Sequence, residues 1–147
     1  MKTAICYYSR HHGNTRKVLD AMAQRNDIDL IDVTSRVAVH LEDYDCIGFA
    51  SGIYYSKFQE TVLDFVRQYL PQGKDVFFVY TCGSMRKGYT KAISEIVADK
   101  DANILGEYGC RGSLREEKDY ENSHLLLLPA PWKYPESPGG HGTGKRY

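Results

Sequence analysis

Two hydrophobic periods alternate along the chain. Thr3–Tyr8, Ile28–Val33, Cys46–Ser51, Val76–Thr81 and Ala102–Cys110 are short, near-continuous apolar runs. Such runs suit parallel strands covered on both faces. Stretches with helical spacing lie between them. Asn14–Gln24 puts Val18, Leu19, Met22 and Ala23 on one stripe. Gln59–Leu70 does the same with Val62, Leu63, Val66 and Leu70, and Pro71 and Gly73 stop it. Tyr89–Ala98 carries Tyr89, Ala92, Ile93, Ile96 and Val97 on its stripe. Thr34–Asp43 is too short and mixed for a full helix and predicts a loop or a single turn. Five strands and three helices in alternation predict an α/β domain with a doubly wound, five-stranded parallel sheet. Right-handed crossovers then place ligands outside the carboxyl ends of the strands.

Three loops leave those ends with ligand-binding composition. The first is Ser9-Arg10-His11-His12-Gly13-Asn14-Thr15, between the first strand and the first helix. A strand, a glycine-containing loop and a helix N-terminus together make an anion site, because free N–H groups and the helix dipole point at one spot. Gly13 allows close backbone approach, Asn14 is a good N-cap, and Ser9 and Thr15 offer hydroxyls. An ordinary capped βα turn has the same local signature. The second loop, Gly52 to Phe58, exposes Tyr54 and Tyr55 where a core would not want them. The third, Cys82-Gly83-Ser84-Met85-Arg86-Lys87-Gly88, has Tyr89 behind it. An anion loop beside two aromatic and glycine-bearing loops predicts a flat aromatic ligand that carries phosphate.

Composition narrows the alternatives. The 147 residues predict one domain, and 19 basic residues balance 19 acidic ones. That balance argues against a nucleic-acid or membrane-surface partner. No apolar run approaches the length of a membrane span, and an apolar strand begins by the third residue, so the expected compartment is the reducing cytoplasm. Cys6, Cys46, Cys82 and Cys110 lie far apart, without the spacing of a metal site or of a cysteine-phosphatase loop. His11 and His12 are adjacent, not an i, i+4 pair, and phosphate contact or solvent exposure is preferred over metal.

Taken in order, Tyr7 to Thr15, the run Tyr44–Tyr54 (YDCIGFASGIY) and the run Val79–Ser84 (VYTCGS) resemble the flavodoxin family. The resemblance covers about residues 1–112. It implies a flavodoxin-like sheet of order 2-1-3-4-5 with FMN as cofactor. It further implies that Ser9, Arg10, His11, His12, Gly13, Asn14 and Thr15 hold the FMN phosphate. Gly52, Ile53, Tyr54 and Tyr55 would then line the isoalloxazine, with Tyr54 or Tyr55 stacked on it and the other packed inward. Cys82, Gly83 and Ser84 would meet the pyrimidine side, with Tyr89 as a further contact. No side chain has the look of a general acid or nucleophile. The resemblance leaves open an electron-transfer protein, an FMN-dependent quinone or small-molecule reductase, and a domain that has lost FMN. Partners are accordingly a redox protein or a small electron acceptor.

Three departures qualify the resemblance. The phosphate loop has one more residue between Ser9 and Gly13 than the common short-chain loop. Typical flavodoxins are strongly acidic, whereas this chain is neutral, which puts basic redox partners in doubt. After Gly112 the likeness stops. Ser113 to Glu116 makes a capping box, Leu125–Leu128 is a short apolar run, and four prolines and four glycines follow from Pro129 onward. The expected organisation is a domain at 1–112 and a divergent tail at 113–147, with the final covering helix missing or altered. A sheet face left open in that way favours a homodimer. Gly139 to Lys145 imitates the start of a phosphate-binding P-loop, but Arg146 replaces the required hydroxyl residue and no strand precedes it.

Overall fold

The computed structural model describes residues 2–8, 14–35, 39–84 and 86–111. The expectations for Ser9 to Gly13 and for the tail beyond Arg111 lie outside these residues. Six strands and three helices form: β1 (Thr3–Tyr8), α1 (Asn14–Arg25), β2 (Ile28–Asp32), β3 (Cys46–Tyr54), β4 (Lys57–Phe58), α2 (Glu60–Tyr69), β5 (Asp75–Cys82), α3 (Lys91–Ala98) and β6 (Asn103–Arg111). Among the described residues of the β2–β3 connection, Leu41–Asp43 form a 3-10 turn, as the mixed composition predicts.

The main sheet has the order β2-β1-β3-β5-β6, with every pair parallel. Without the two-residue β4, this is the expected 2-1-3-4-5 order. The register pairs Thr3 with Ile28 on one side and with Cys46 on the other. It pairs Gly52 with Thr81 at the carboxyl end. A bulge between Val76 and Phe77 shifts β6 by one residue against β5.

Described helices pack on both faces of the central strands, which is why those strands are apolar on both sides. Val18, Leu19 and Met22 of α1 pack on Ile5, Ala50, Phe77 and Val79, all buried. On the other face, Val62, Leu63 and Val66 of α2 and Ile93 and Val97 of α3 join Ile47, Phe49, Val76 and Phe78. Each such side chain contributes about 1.5–3 kcal/mol by leaving water. Gly48 serves this packing directly. A Cβ there would lie within 3.0 Å of three carbons of the Phe77 ring, so only glycine lets the ring lie flat on β3. Phe77 meets Tyr108 edge-on, with ring centroids 6.5 Å apart. The helix ends follow local rules. Gln59 caps α2 by accepting from the Thr61 amide at 2.8 Å, and Asn26 donates to the Met22 carbonyl at the end of α1 at 2.9 Å.

The segment Gly52 to Phe58, expected as a loop, is instead a hairpin. β3 runs on to Tyr54, and β4 pairs antiparallel with it, Ile53 opposite Phe58 and Tyr54 opposite Lys57. Ser51 holds the hairpin base. Its Oγ accepts from the Gln59 amide at 3.0 Å and donates to the Gly52 carbonyl.

Candidate functional site

The chain leaves β1 toward β2 on one side and continues from β3 through β5 to β6 on the other. The carboxyl ends of β1 and β3 therefore flank the point where the strand order reverses, the place where open α/β sheets bind ligands. The start of α1, the hairpin after β3 and the turn after β5 all lie at this end. The described parts of the predicted ligand segments, Asn14–Thr15, Gly52–Phe58 and Cys82–Ser84, thus share one end of the sheet, because three parallel neighbouring strands finish there.

On the β1 side, α1 starts at Asn14 with no acidic residue in its first turn. Its N-terminal dipole is therefore not opposed by a local carboxylate. Thr15 is buried, and its Oγ1 lies 2.9 Å from Oγ1 of Thr81 at the end of β5. This hydroxyl pair spans 66 residues of sequence and ties the start of α1 to the centre of the sheet edge. One hydroxyl donates within the pair, which leaves one further proton to offer to a ligand. Arg16 bonds Asp20 through Nε at 2.8 Å and donates from Nη1 to the hydroxyl of Tyr7. The bond to Asp20, followed by the field of Tyr7, raises the pKa of the guanidinium.

On the β3 side, the two tyrosines separate. The Tyr54 ring folds back toward Gly52; a Cβ on Gly52 would be 3.5 Å from its Cε2 and 3.7 Å from its hydroxyl. The same position lies 3.8 Å from Thr81 Oγ1, so Gly52, Tyr54 and Thr81 form one cluster. Tyr55 points away and is 98% exposed. Tyr55 and Ser56 both have positive φ, 52° and 65°. Left-handed backbone costs a non-glycine residue roughly 1–2 kcal/mol. The turn thus spends stability to project an aromatic ring that packs on nothing in the fold, a pattern that points to function. Ile53 is half-buried against the α2–α3 side of the core.

On the β5 side, Cys82 is buried, while Gly83 and Ser84 are exposed. Tyr89 is buried, packs edge-on against Tyr80 at 5.6 Å and donates its hydroxyl to the Ser84 carbonyl at 2.7 Å. Its position is that of a brace under the turn, with Ser84 at the surface. Thr81 was not among the residues that sequence reasoning selected. No local signal marks it, because its role depends on Thr15, far away in the chain.

A flavodoxin-domain family model matches residues 4–104. The chain belongs to the flavodoxin-domain family. An uncharacterized protein of Methanocaldococcus jannaschii is 32% identical over 114 residues, 76% of each chain. Among solved structures, a Fusobacterium nucleatum flavodoxin bound to flavin mononucleotide superposes with a TM-score of 0.57 at 18% identity, over 71% of this chain and 70% of its own. An NADPH-quinone reductase from P. pentosaceus superposes with a TM-score of 0.65 at 12% identity, over 83% and 92%. At these identities the two structures attest the flavodoxin-like fold.

The described site fits a flavin. The first turn of α1 carries no acidic residue, the Tyr55 ring is exposed, and Gly83 and Ser84 are at the surface with the Ser84 carbonyl held by Tyr89. No cluster of His, Cys, Asp or Glu able to hold a metal occurs among the described residues, and no described helix is long and apolar enough to cross a membrane.

Proposed function

We propose that the protein binds FMN at the carboxyl end of β1, β3 and β5 and works as a flavodoxin-like electron carrier. The observation that carries this reading is the exposed, strained Tyr55 on the hairpin that follows β3, at the same end of the sheet as the start of α1. Bound there, the flavin supplies one- or two-electron chemistry. The protein's part is to bind and orient. Asn14 and Thr15 serve the phosphate end, together with Ser9 to Gly13 of the preceding loop. Tyr55 stacks on the ring and Tyr54 backs the hairpin from inside. Gly83 and Ser84 offer backbone groups to the polar ring edge, and Tyr89 holds that turn in place.

The alternative is an FMN-dependent quinone or small-molecule reductase. One observation favours a carrier. A side chain begun at Gly83 or Gly88 would find no atom within 4 Å. Among the described residues, the turn after β5 therefore stands open at these two positions, where a reductase needs a walled cavity for its small substrate. The absorption spectrum of purified protein tests the cofactor, and a parallel titration with riboflavin tests the anchor. The reading expects flavin bands and far weaker binding of riboflavin than of FMN. Equal affinities would remove the phosphate loop from the account, and a colourless protein that rejects added FMN would contradict the reading.

A further inference from the structure

Among the described residues, charge divides along the strand axis. At the carboxyl end of the sheet, the turn after β5 and the start of α3 carry Arg86, Lys87 and Lys91, all exposed. No carboxylate among the described residues forms an ion pair with any of them. Lys57 lies across the rim on the hairpin, paired with Glu60, which also meets Arg67. Asp32 ends β2, the far edge strand. Two strands, β1 and β3, separate it from β5, a span of roughly 14 Å at strand spacing. That exceeds the ~8–10 Å over which physiological salt screens charge. The opposite end of the sheet is acidic. Asp27, Glu42, Asp43, Asp45, Asp75, Asp99 and Asp101 lie around the strand starts, against Lys2, Arg25, Lys74 and Lys100.

We propose that the rim formed by Arg86, Lys87, Lys91 and the protruding Tyr55 is the docking face for a redox protein whose own docking face is acidic. This rests on the flavin reading above, because the rim borders the site where that reading places the cofactor. The surface favours a protein over a small anion for two reasons. A Cβ at Gly83 or Gly88, on either side of Arg86 and Lys87, would meet nothing within 4 Å, so the turn presents an open surface at both positions. An exposed tyrosine and an exposed arginine on the connections after neighbouring strands match the composition of protein interface hot spots. Charge complementarity then acts mainly on the encounter rate, by the 10- to 1,000-fold typical of steered association.

Two measurements test the proposal. The first needs no flavin. Anionic and cationic nitroxides of equal size are added to isotopically labelled protein, and relaxation of each backbone amide is measured. The anionic nitroxide should relax the amides of Gly83, Ser84 and Arg86–Lys91 more strongly, and the cationic one those of Asp43–Asp45 and Asp99–Asp101. Equal effects at the two ends would overturn the division of charge. The second uses FMN-loaded protein and two redox proteins of opposite charge. Reduced plant-type ferredoxin, an acidic protein, gives one electron to the oxidised flavoprotein. Ferric cytochrome c, a basic protein, takes one from the reduced flavoprotein. The ferredoxin rate should fall at least tenfold between low and high salt, and the cytochrome rate should rise or stay level. The double variant Arg86→Glu/Lys87→Glu should reverse both trends, and unchanged salt dependences in that variant would overturn the docking face. A chain that takes up no FMN fails at its absorption spectrum, which refutes the flavin reading and the redox partner with it, whatever the nitroxides report.

Discussion

Replacing Tyr55 by glycine separates stability from binding. Tyr55 is 98% exposed, so removing its ring costs the unliganded fold almost no packing. Its φ of 52° is one that glycine adopts freely, which relieves roughly 1–2 kcal/mol. Glycine gives back about 0.5–1 kcal/mol in chain entropy. The flavin-free variant should therefore be as stable as the parent or more stable by up to about 1.5 kcal/mol, as read by urea denaturation. Binding should move the other way. Ring stacking contributes about 0.5–1.5 kcal/mol beyond area. Covering one ring face, roughly 60 Å2 at ~25 cal/mol per Å2, adds about 1.5 kcal/mol. FMN affinity should fall by about 2–3 kcal/mol, near 30- to 150-fold, in a fluorescence titration. Tyr55→Phe should keep most of it. Loss of stability in the flavin-free glycine variant would show that the ring packs on the fold. A change in FMN affinity under threefold would remove Tyr55 from the binding face.

Three other substitutions and conditions probe different parts of the account. Thr81→Val keeps the shape and removes the partner of Thr15, so FMN affinity should drop by about 1–3 kcal/mol, and a titration that matches the parent would make the hydroxyl pair irrelevant to binding. Gly48→Ala drives a methyl group into the Phe77 ring and should cost about 1–3 kcal/mol by thermal or chemical denaturation; parental stability would mean that the ring moves aside freely. Raising pH should weaken the fold from about 9 upward. Burial raises the Cys46 thiol from 9.0 to about 12 and the Tyr108 hydroxyl from 10.0 to about 12, and the bond to Asp29 raises Tyr44 to about 12. Each group holds its proton longer folded than unfolded, so stability is full below the unfolded pKa and is lost between about 9 and 12. Denaturation midpoints that stay flat from pH 8 to 11 would contradict this sign.

Much of the fold is legible locally, and what is missed has a physical reason. The apolar run Thr3–Tyr8 is β1 residue for residue, and Val62, Leu63 and Val66 do bury one face of α2. These elements follow from burial period alone. The hairpin does not, because its turn puts Tyr55 and Ser56 in left-handed backbone where local rules call for glycine or asparagine. Sequence rules fail there because the turn is strained, and it lies beside the candidate site. The inward fold of Tyr54 and the brace made by Tyr89 need the positions of Gly52 and Ser84 in space. Thr81 looks like one more strand residue until Thr15 is brought within 2.9 Å. The charged rim is equally hidden, since Arg86 and Lys87 are offset in the total by aspartates at the far end of the strands.

The central claim is that FMN sits at the carboxyl end of β1, β3 and β5. Amide spectra of the labelled chain recorded during an FMN titration test it most directly. The account predicts saturable shifts at Asn14 and Thr15, at Gly52–Tyr55 and at Cys82–Ser84. Amides at the strand starts, such as Asp45 and Asp101, should stay in place. Shifts centred elsewhere, or a spectrum unchanged at millimolar FMN, would contradict it.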